Sequence, residues 1–198
     1  MGSLLVSLLT LSTIGAGYTP IGGQNGVQVF LRKDTGAIEL AAVGEFDAPP
    51  AEVEAALLDY SAHPKINKHL AESTVLSRGP GELTVYQHLK LPVVKDRDFT
   101  LRVIYGERRV RFSVDGSHGP APTNKAVRLS VLNGEWELEP IHGGTGTRAY
   151  YHIEIDLAGS VPRWMVRGGS AKDIPGLYDG MRTLIQQRRA SGITLSRR

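Results

Sequence analysis

Apolar and polar residues alternate with a period of two along most of the chain from Tyr18 to residue 157, and with a period near 3.6 after Gly159. Period two is the mark of strands that bury one face, and period 3.6 that of an amphipathic helix. Residues 27–33 lead into a first strand, Asp34-Thr35-Gly36 turns it, and residues 37–46 return. Asp47 reads as an N-cap ahead of Pro49 and Pro50, with Val53, Ala56, Leu57 and Tyr60 at helical spacing, so the pattern predicts a helix over 49–60 that Pro64 ends. After Gly79-Pro80-Gly81 the alternation is regular. Leu83, Val85, Leu89 and Leu91 share one face with Gln87 in phase, then Phe99, Leu101, Val103 and Tyr105 with Arg97 in phase, then Val110, Phe112 and Val114. Val127, Leu129 and Val131 follow, then Trp136 with Leu138, then Thr147, Ala149, Tyr151, Ile153, Ile155 and Leu157. The intervening positions are rich in Arg and Glu, which gives a sheet with one wet and one apolar face. Glycine-rich turns between these runs predict sequential antiparallel neighbours.

From Pro162 onward, Trp164, Ala171, Ile174, Tyr178, Met181 and Ile185 form one stripe, interrupted by Gly168-Gly169 and Pro175, so a kinked or two-piece helix is expected. The sum is two strands, a short helix, about six more strands and one long C-terminal helix: an α+β fold. A sheet of seven or eight twisted strands curls, and a helix of about 25 residues is roughly 38 Å long, enough to lie across the open face. A curved antiparallel sheet around one helix leaves an internal space with apolar walls.

Composition adds exclusions. The 198 residues contain no cysteine, so thiolate catalysis, disulfides and thiolate-bound metals are absent. The net charge of +3 is too dilute to argue for nucleic acid. Residues 1–17 form a separate apolar segment: Leu4 to Ile14 carry no charge and are followed by Gly15-Ala16-Gly17, the pattern of a secretory signal peptide. On that reading residues 18–198 are the domain, exported to the periplasm or secreted; a retained N-terminal helix and a membrane-surface anchor are the other readings. Catalytic motifs are missing: there is no G-x-S-x-G, P-loop or G-x-G-x-x-G, and the six histidines show no H-x-x-x-H spacing. No catalytic residue, metal ligand or cofactor is assigned. Arg108, Arg109 and Arg111 read as a solvated strand face without an aromatic stacking platform, so no nucleic-acid partner is expected.

One ordered set of motifs goes further. Residues 91–99, Leu-Pro-Val-Val-Lys-Asp-Arg-Asp-Phe, are followed by Gly134-Glu-Trp136-Glu-Leu138-Glu-Pro140, Gly146-Thr-Arg, Tyr151–Asp156 and Gly159-Ser-Val-Pro162-Arg-Trp164. Over about residues 27–190 this set resembles the START domain, the lipid-transfer domain related to the steroidogenic acute regulatory protein. The resemblance implies a helix-grip fold and a buried site for one sterol, phospholipid or similar lipid, with a lid made by loops beside the C-terminal helix. Two positions depart from the pattern. Pro64-Lys65-Ile66-Asn67 stands where relatives carry a Trp, and position 103 is Val where sterol-binding members have a cavity arginine.

The expectation is therefore a non-enzymatic, monomeric binding and transfer protein for a hydrophobic lipid, with transient membrane contact. The expected lining is Gln87, Leu89, Arg97, Phe99, Leu101, Val103, Phe112, Val114, Leu129, Val131, Trp136, Tyr151, Ile153, Trp164, Ile174, Tyr178 and Met181. Gln87 and Arg97 are the candidates to orient a headgroup, with an Arg97 ion pair to Asp96 or Asp98 as the alternative. Two rival functions stay open: a polyketide cyclase/aromatase-like or hydrolase-like enzyme on the same broad fold, and an interaction module whose cavity is filled by side chains. The C-terminal helix around Gly168–Pro175 is the expected gate, and the 115–124 loop the second candidate.

Overall fold

The computed structural model describes residues 14–32, 37–92, 94–158 and 163–192, with side chains in the last stretch from residue 171. The apolar run of residues 4–13, and with it the export reading, lies outside the described residues, as does the side chain of Trp164. Among the described residues ten strands form one curved sheet: β1 (Tyr18–Gln24), β2 (Val27–Arg32), β3 (Ile38–Phe46), β4 (Leu70–Gly79), β5 (Glu82–Leu89), β6 (Asp96–Gly106), β7 (Arg109–Val114), β8 (Ala126–Arg128), β9 (Val131–Ile141) and β10 (Gly146–Asp156). The order is β1-β2-β3-β10-β9-β7-β6-β5-β4, antiparallel throughout, with β8 paired in parallel to the start of β6. Helix α1 spans Pro50–Leu57, a 3₁₀ segment Tyr60–Lys65, and helix α2 Arg163–Ala190. This is the expected α+β helix-grip architecture.

Two strands escape the alternation pattern. β1 contains Pro20, Gly22 and Gly23 and has a register shift between Pro20 and Gly22, which an edge strand tolerates. It joins β2 through Asn25-Gly26, both at positive φ (53° and 77°), the backbone a two-residue hairpin turn requires. β4 is the other edge, mostly exposed, with two register shifts that break its period. Three further expectations are corrected. Asp47 does not cap α1: Pro49 holds that position without a side-chain cap, its carbonyl accepting from Glu52 and Val53 N–H. Helix α1 stops at Leu57, and Pro64 sits inside the 3₁₀ segment instead of ending the helix. The run 127–131 is not one strand: the chain leaves β6 at Arg128 for β7 and β10 at Val131, so Leu132, not Val131, is buried with Trp136 and Leu138.

Helix α2 is one element of 28 residues that continues through Pro175, so of the kinked or two-piece helix expected, the two-piece form is not what forms. Its packing explains the continuity. Ile174, Tyr178, Met181, Leu184 and Ile185 are all buried against the concave face. Tyr178 seats the helix: its ring stacks on Phe46 (centroids 5.4 Å apart) and tilts onto Trp136 (5.1 Å), and its hydroxyl donates to Ala149 O at 3.0 Å. Gly44 makes room for it, since a Cβ there would lie 2.8 Å from the Tyr178 ring and 2.9 Å from Val27 Cγ2. Farther along, Arg182 donates to Glu45 O (2.8 Å) and Asn25 O (3.1 Å), Arg188 pairs with Asp59 and Arg189 with Glu52. The C-terminal half of α2 is thereby tied to β3, the β1–β2 turn and α1.

The convex face is wet as expected, with cross-strand pairs such as Arg109–Glu137, Arg111–Glu135 and Arg148–Glu45. It has two covered places. Tyr18, Phe30, Ala41 and Val43 form a small apolar cluster with Ile14 and Tyr150. On β6, Asp98 and Thr100 are buried, Asp98 gripped by both ends of the Arg128 fork (2.9 and 2.8 Å), which hold its carboxyl below its usual pKa. Arg128 also donates to Pro120 O, and Gly119 (φ 105°) rests directly on Thr100 Oγ1. The 115–124 loop therefore lies on the convex side.

Gly44→Ala should lower the unfolding free energy by about 1–3 kcal/mol, since the Tyr178 ring cannot retreat, and the melting temperature by about 2–4 °C per kcal/mol for a chain of this size. Gly79→Ala, with open space around it, should change stability by less than about 0.5 kcal/mol. Denaturant unfolding of the two variants checks this; equal effects would contradict the seating role.

Candidate ligand cavity

α2 lies over β1, β2, β3 and α1 and leaves the other half of the concave face to a cavity of about 180 Å³. Its walls come from β5, β6, β7, β9 and β10, from the 3₁₀ segment and from one flank of α2. Nine expected residues line it: Gln87, Leu89, Phe99, Leu101, Phe112, Trp136, Tyr151, Ile153 and Met181. Six others do not. Val103, Leu129, Ile174 and Tyr178 are buried in the packed core, while Val114 and Val131 are half-buried outside the lining.

Arg97 is also absent from the wall. It is buried, and its guanidinium donates to Leu157 O (2.6 Å), Ala158 O (3.0 Å) and Lys95 O. Neither a headgroup role nor the expected pair with Asp96 or Asp98 is what it does here: it ties the start of β6 to the end of β10. Arg102 points outward to Glu82 (2.9 Å), and Val103 faces inward, fully buried. Among the described residues, no basic group on the wall takes the place of the cavity arginine that the resemblance implies for sterol binders.

The sequence reading missed one wall. Leu57, Tyr60 and His63 recur every third residue, the spacing that a 3₁₀ turn stacks on one face. That period was the available signal, hidden because the 3.6-residue pattern ends at Tyr60. Asn67, Leu70, Val110, Leu132, Ile155 and Leu177 complete the lining. Among the described residues, no Lys, Arg, Asp or Glu is on the wall. Its polar groups are Tyr60, His63, Asn67, Gln87, Trp136 and Tyr151. Gln87 donates to Ser73 Oγ at 3.0 Å, and Asn67 Oδ1 accepts from His69 N–H at 3.0 Å. The His63 ring sits 4.7 Å from that of Tyr60, and its Nε2 lies 3.3 Å from Ala56 O, a contact that requires the proton on Nε2. Burial pushes its pKa below the ordinary value, against weaker opposing effects of Ala56 O and Asp59, so the imidazole is neutral at pH 7. Burial likewise pushes the Tyr60 and Tyr151 phenols well up, so both stay protonated.

These features are those of a family. The sequence profile of the group described as polyketide cyclase/dehydrase and lipid transport matches residues 37–184. The chain belongs to that family. Curated proteins give no match, but solved structures share the fold. A STAR-related lipid transfer protein from Xanthomonas axonopodis superposes with a TM-score of 0.77 at 21% identity, covering 86% of this chain and 99% of its own. Human STARD10 (0.76, 17% identity, 98% of this chain and 82% of its own) and human StAR-related lipid transfer protein 5 (0.72, 16%, 94% and 95%) are similar. The family's description spans enzymes and carriers alike, and its fold suits a hydrophobic ligand.

The depressed His63 pKa fixes a pH dependence. Between the folded value and the ordinary 6.5, the unfolded chain binds a proton that the native state refuses, so stability falls as pH falls below about 6.5. The slope reaches about 1.4 kcal/mol per pH unit for one proton. Wild type should lose more stability than His63→Gln between pH 7.0 and 5.5 in denaturant titrations, by up to about 1 kcal/mol. An equal loss in both would contradict a neutral, buried imidazole.

Proposed function

We propose that this protein is a non-enzymatic carrier that takes one uncharged hydrophobic molecule, a lipid or similar compound, between the concave face and α2. The observation that carries this reading is the cavity wall, which among the described residues is apolar and aromatic with no formal charge at pH 7. Such a wall gains free energy by removing apolar ligand surface from water, roughly 25 cal/mol per Å², and offers a charged headgroup nothing. A cyclase-type enzyme is the second reading, favoured by His63 beside Tyr60. Against it, the Nε2 proton is committed to Ala56 O, and both phenols are shifted away from ionising near neutral pH.

Size adds a requirement. A cavity of about 150 Å³ holds a benzene, whereas drug-sized ligands occupy about 300–1,000 Å³. At about 180 Å³ this cavity must widen to take a whole lipid. The described anchors of α2 concentrate in its C-terminal half, from Tyr178 onward. Ahead of Pro175, Asp173 is joined to Lys68 (3.3 Å) and His69 (3.4 Å) in the loop over the cavity edge. These pairs are largely exposed, and each is worth less than about 1 kcal/mol. In this reading the N-terminal part of α2 opens about the Gly168–Pro175 stretch, and the 115–124 loop, which lies on the convex side, takes no part.

Uptake of N-phenyl-1-naphthylamine, an uncharged dye that fluoresces in apolar surroundings, tests the reading. One dye per chain is expected. Replacing Gly168 and Gly169 by Ala should slow uptake and release several-fold by stiffening the hinge, at unchanged affinity. Absence of binding would overturn the carrier function, and unchanged rates would move the gate elsewhere.

A further inference from the structure

Two phenols in the cavity lack what the fold gives the other two buried tyrosines. Tyr178 donates its hydroxyl to Ala149 O and Tyr18 donates to Glu39 Oε2. Tyr60, at the head of the 3₁₀ segment, and Tyr151, in the middle of β10, are 6% and 8% exposed, yet neither hydroxyl has a hydrogen-bond partner among the described residues. Buried hydroxyls are normally paired, because leaving one unmade is costly. Nor are the two walled off. Neither hydroxyl is a sealed, unpartnered atom as Thr100 Oγ1 is, and both side chains line the cavity. They come from different elements and line the same cavity.

Both rings are fixed. Tyr60 packs on His63, and Tyr151 lies 4.4 Å from Trp136 and 6.3 Å from Phe112, centroid to centroid. Fixed rings hold the two O–H groups in place before a ligand arrives, which lowers the ordering cost of binding. As protonated phenols they donate, and with no cation on the wall among the described residues they have no means of compensating a full negative charge.

We propose that Tyr60 and Tyr151 form a recognition site for one oxygen atom, a carbonyl or hydroxyl, of an uncharged ligand. The site selects oxygenated apolar compounds over hydrocarbons of the same shape and over carboxylates. It rests on the carrier reading above and adds to it the chemistry of the ligand's buried end.

Three probes of one shape test it: 2-acetylnaphthalene, naphthalene and 2-naphthoate. Wild type should bind the ketone about threefold to tenfold more tightly than naphthalene, the gain of one neutral hydrogen bond, and bind the naphthoate at pH 7 most weakly. Tyr60→Phe and Tyr151→Phe keep the rings and remove the donors. Each should reduce the ketone preference, and the double variant abolish it, with naphthalene affinity unchanged as the sign that the cavity is intact. The carbonyl stretch of the bound ketone should lie at lower frequency in wild type than in the double variant. A preference that survives the double variant would assign the oxygen to another group and overturn the site. Equal binding of ketone and hydrocarbon by wild type would also overturn it while leaving the carrier reading in place. Failure of all three to bind would remove the carrier reading and this site together.

Discussion

The structure depends on how much of a curved sheet one helix can cover. Ten strands curve into a trough whose apolar face must be closed, and α2 closes only the flank formed by β1, β2 and β3. What fixes the helix on that flank is the stack of Phe46, Tyr178 and Trp136, with Gly44 withholding the one side chain that would keep Tyr178 off the sheet. The same stack sets the limit of close packing. Beyond Trp136 the rings of Tyr151 and Phe112 face open space instead of helix. The cavity is thus a consequence of where α2 is pinned and not of residues added to make a hole.

That origin explains the chemistry of the wall. Most of its side chains are those that a strand face buries, so they are apolar or aromatic, while the convex side carries arginines and glutamates that pair across strands. The polar groups of the cavity enter chiefly from the side that is not sheet, the 3₁₀ segment with Tyr60 and His63, and from aromatic residues whose rings serve packing while their polar ends face inward. Arg97 shows how strictly charge is excluded. The one arginine in phase with the cavity face spends its guanidinium on three backbone carbonyls at the sheet's end.

The central strands were legible because each separates a wet from an apolar face. From β5 through β7, and again in β9 and β10, the alternating Arg and Glu positions report the pleat directly. The edges were not legible, for physical reasons. β1 carries Pro20 and two glycines that an edge tolerates, and β4 loses its period to two register shifts. The change of partner between Arg128 and Val131 is invisible to a pattern that assumes one continuous strand, which is why Val131 was assigned inward and Leu132 was not. Of the candidate site, the half built on strands was readable. The half built on the 3₁₀ segment was not, since three residues per turn is a short signal and Pro64 reads as a stop.

The account stands on a ligand entering the space between sheet and helix, and methyl NMR of protein titrated with N-phenyl-1-naphthylamine observes that directly. The account predicts shifts and intermolecular NOEs at the methyls of Met181, Leu101 and Ile153, which line the cavity, while those of Leu83 and Leu184, buried outside it, stay in place. Shifts confined to Leu76 and Ile104, the exposed large apolar side chains, would place the dye on the outside of the sheet and contradict it.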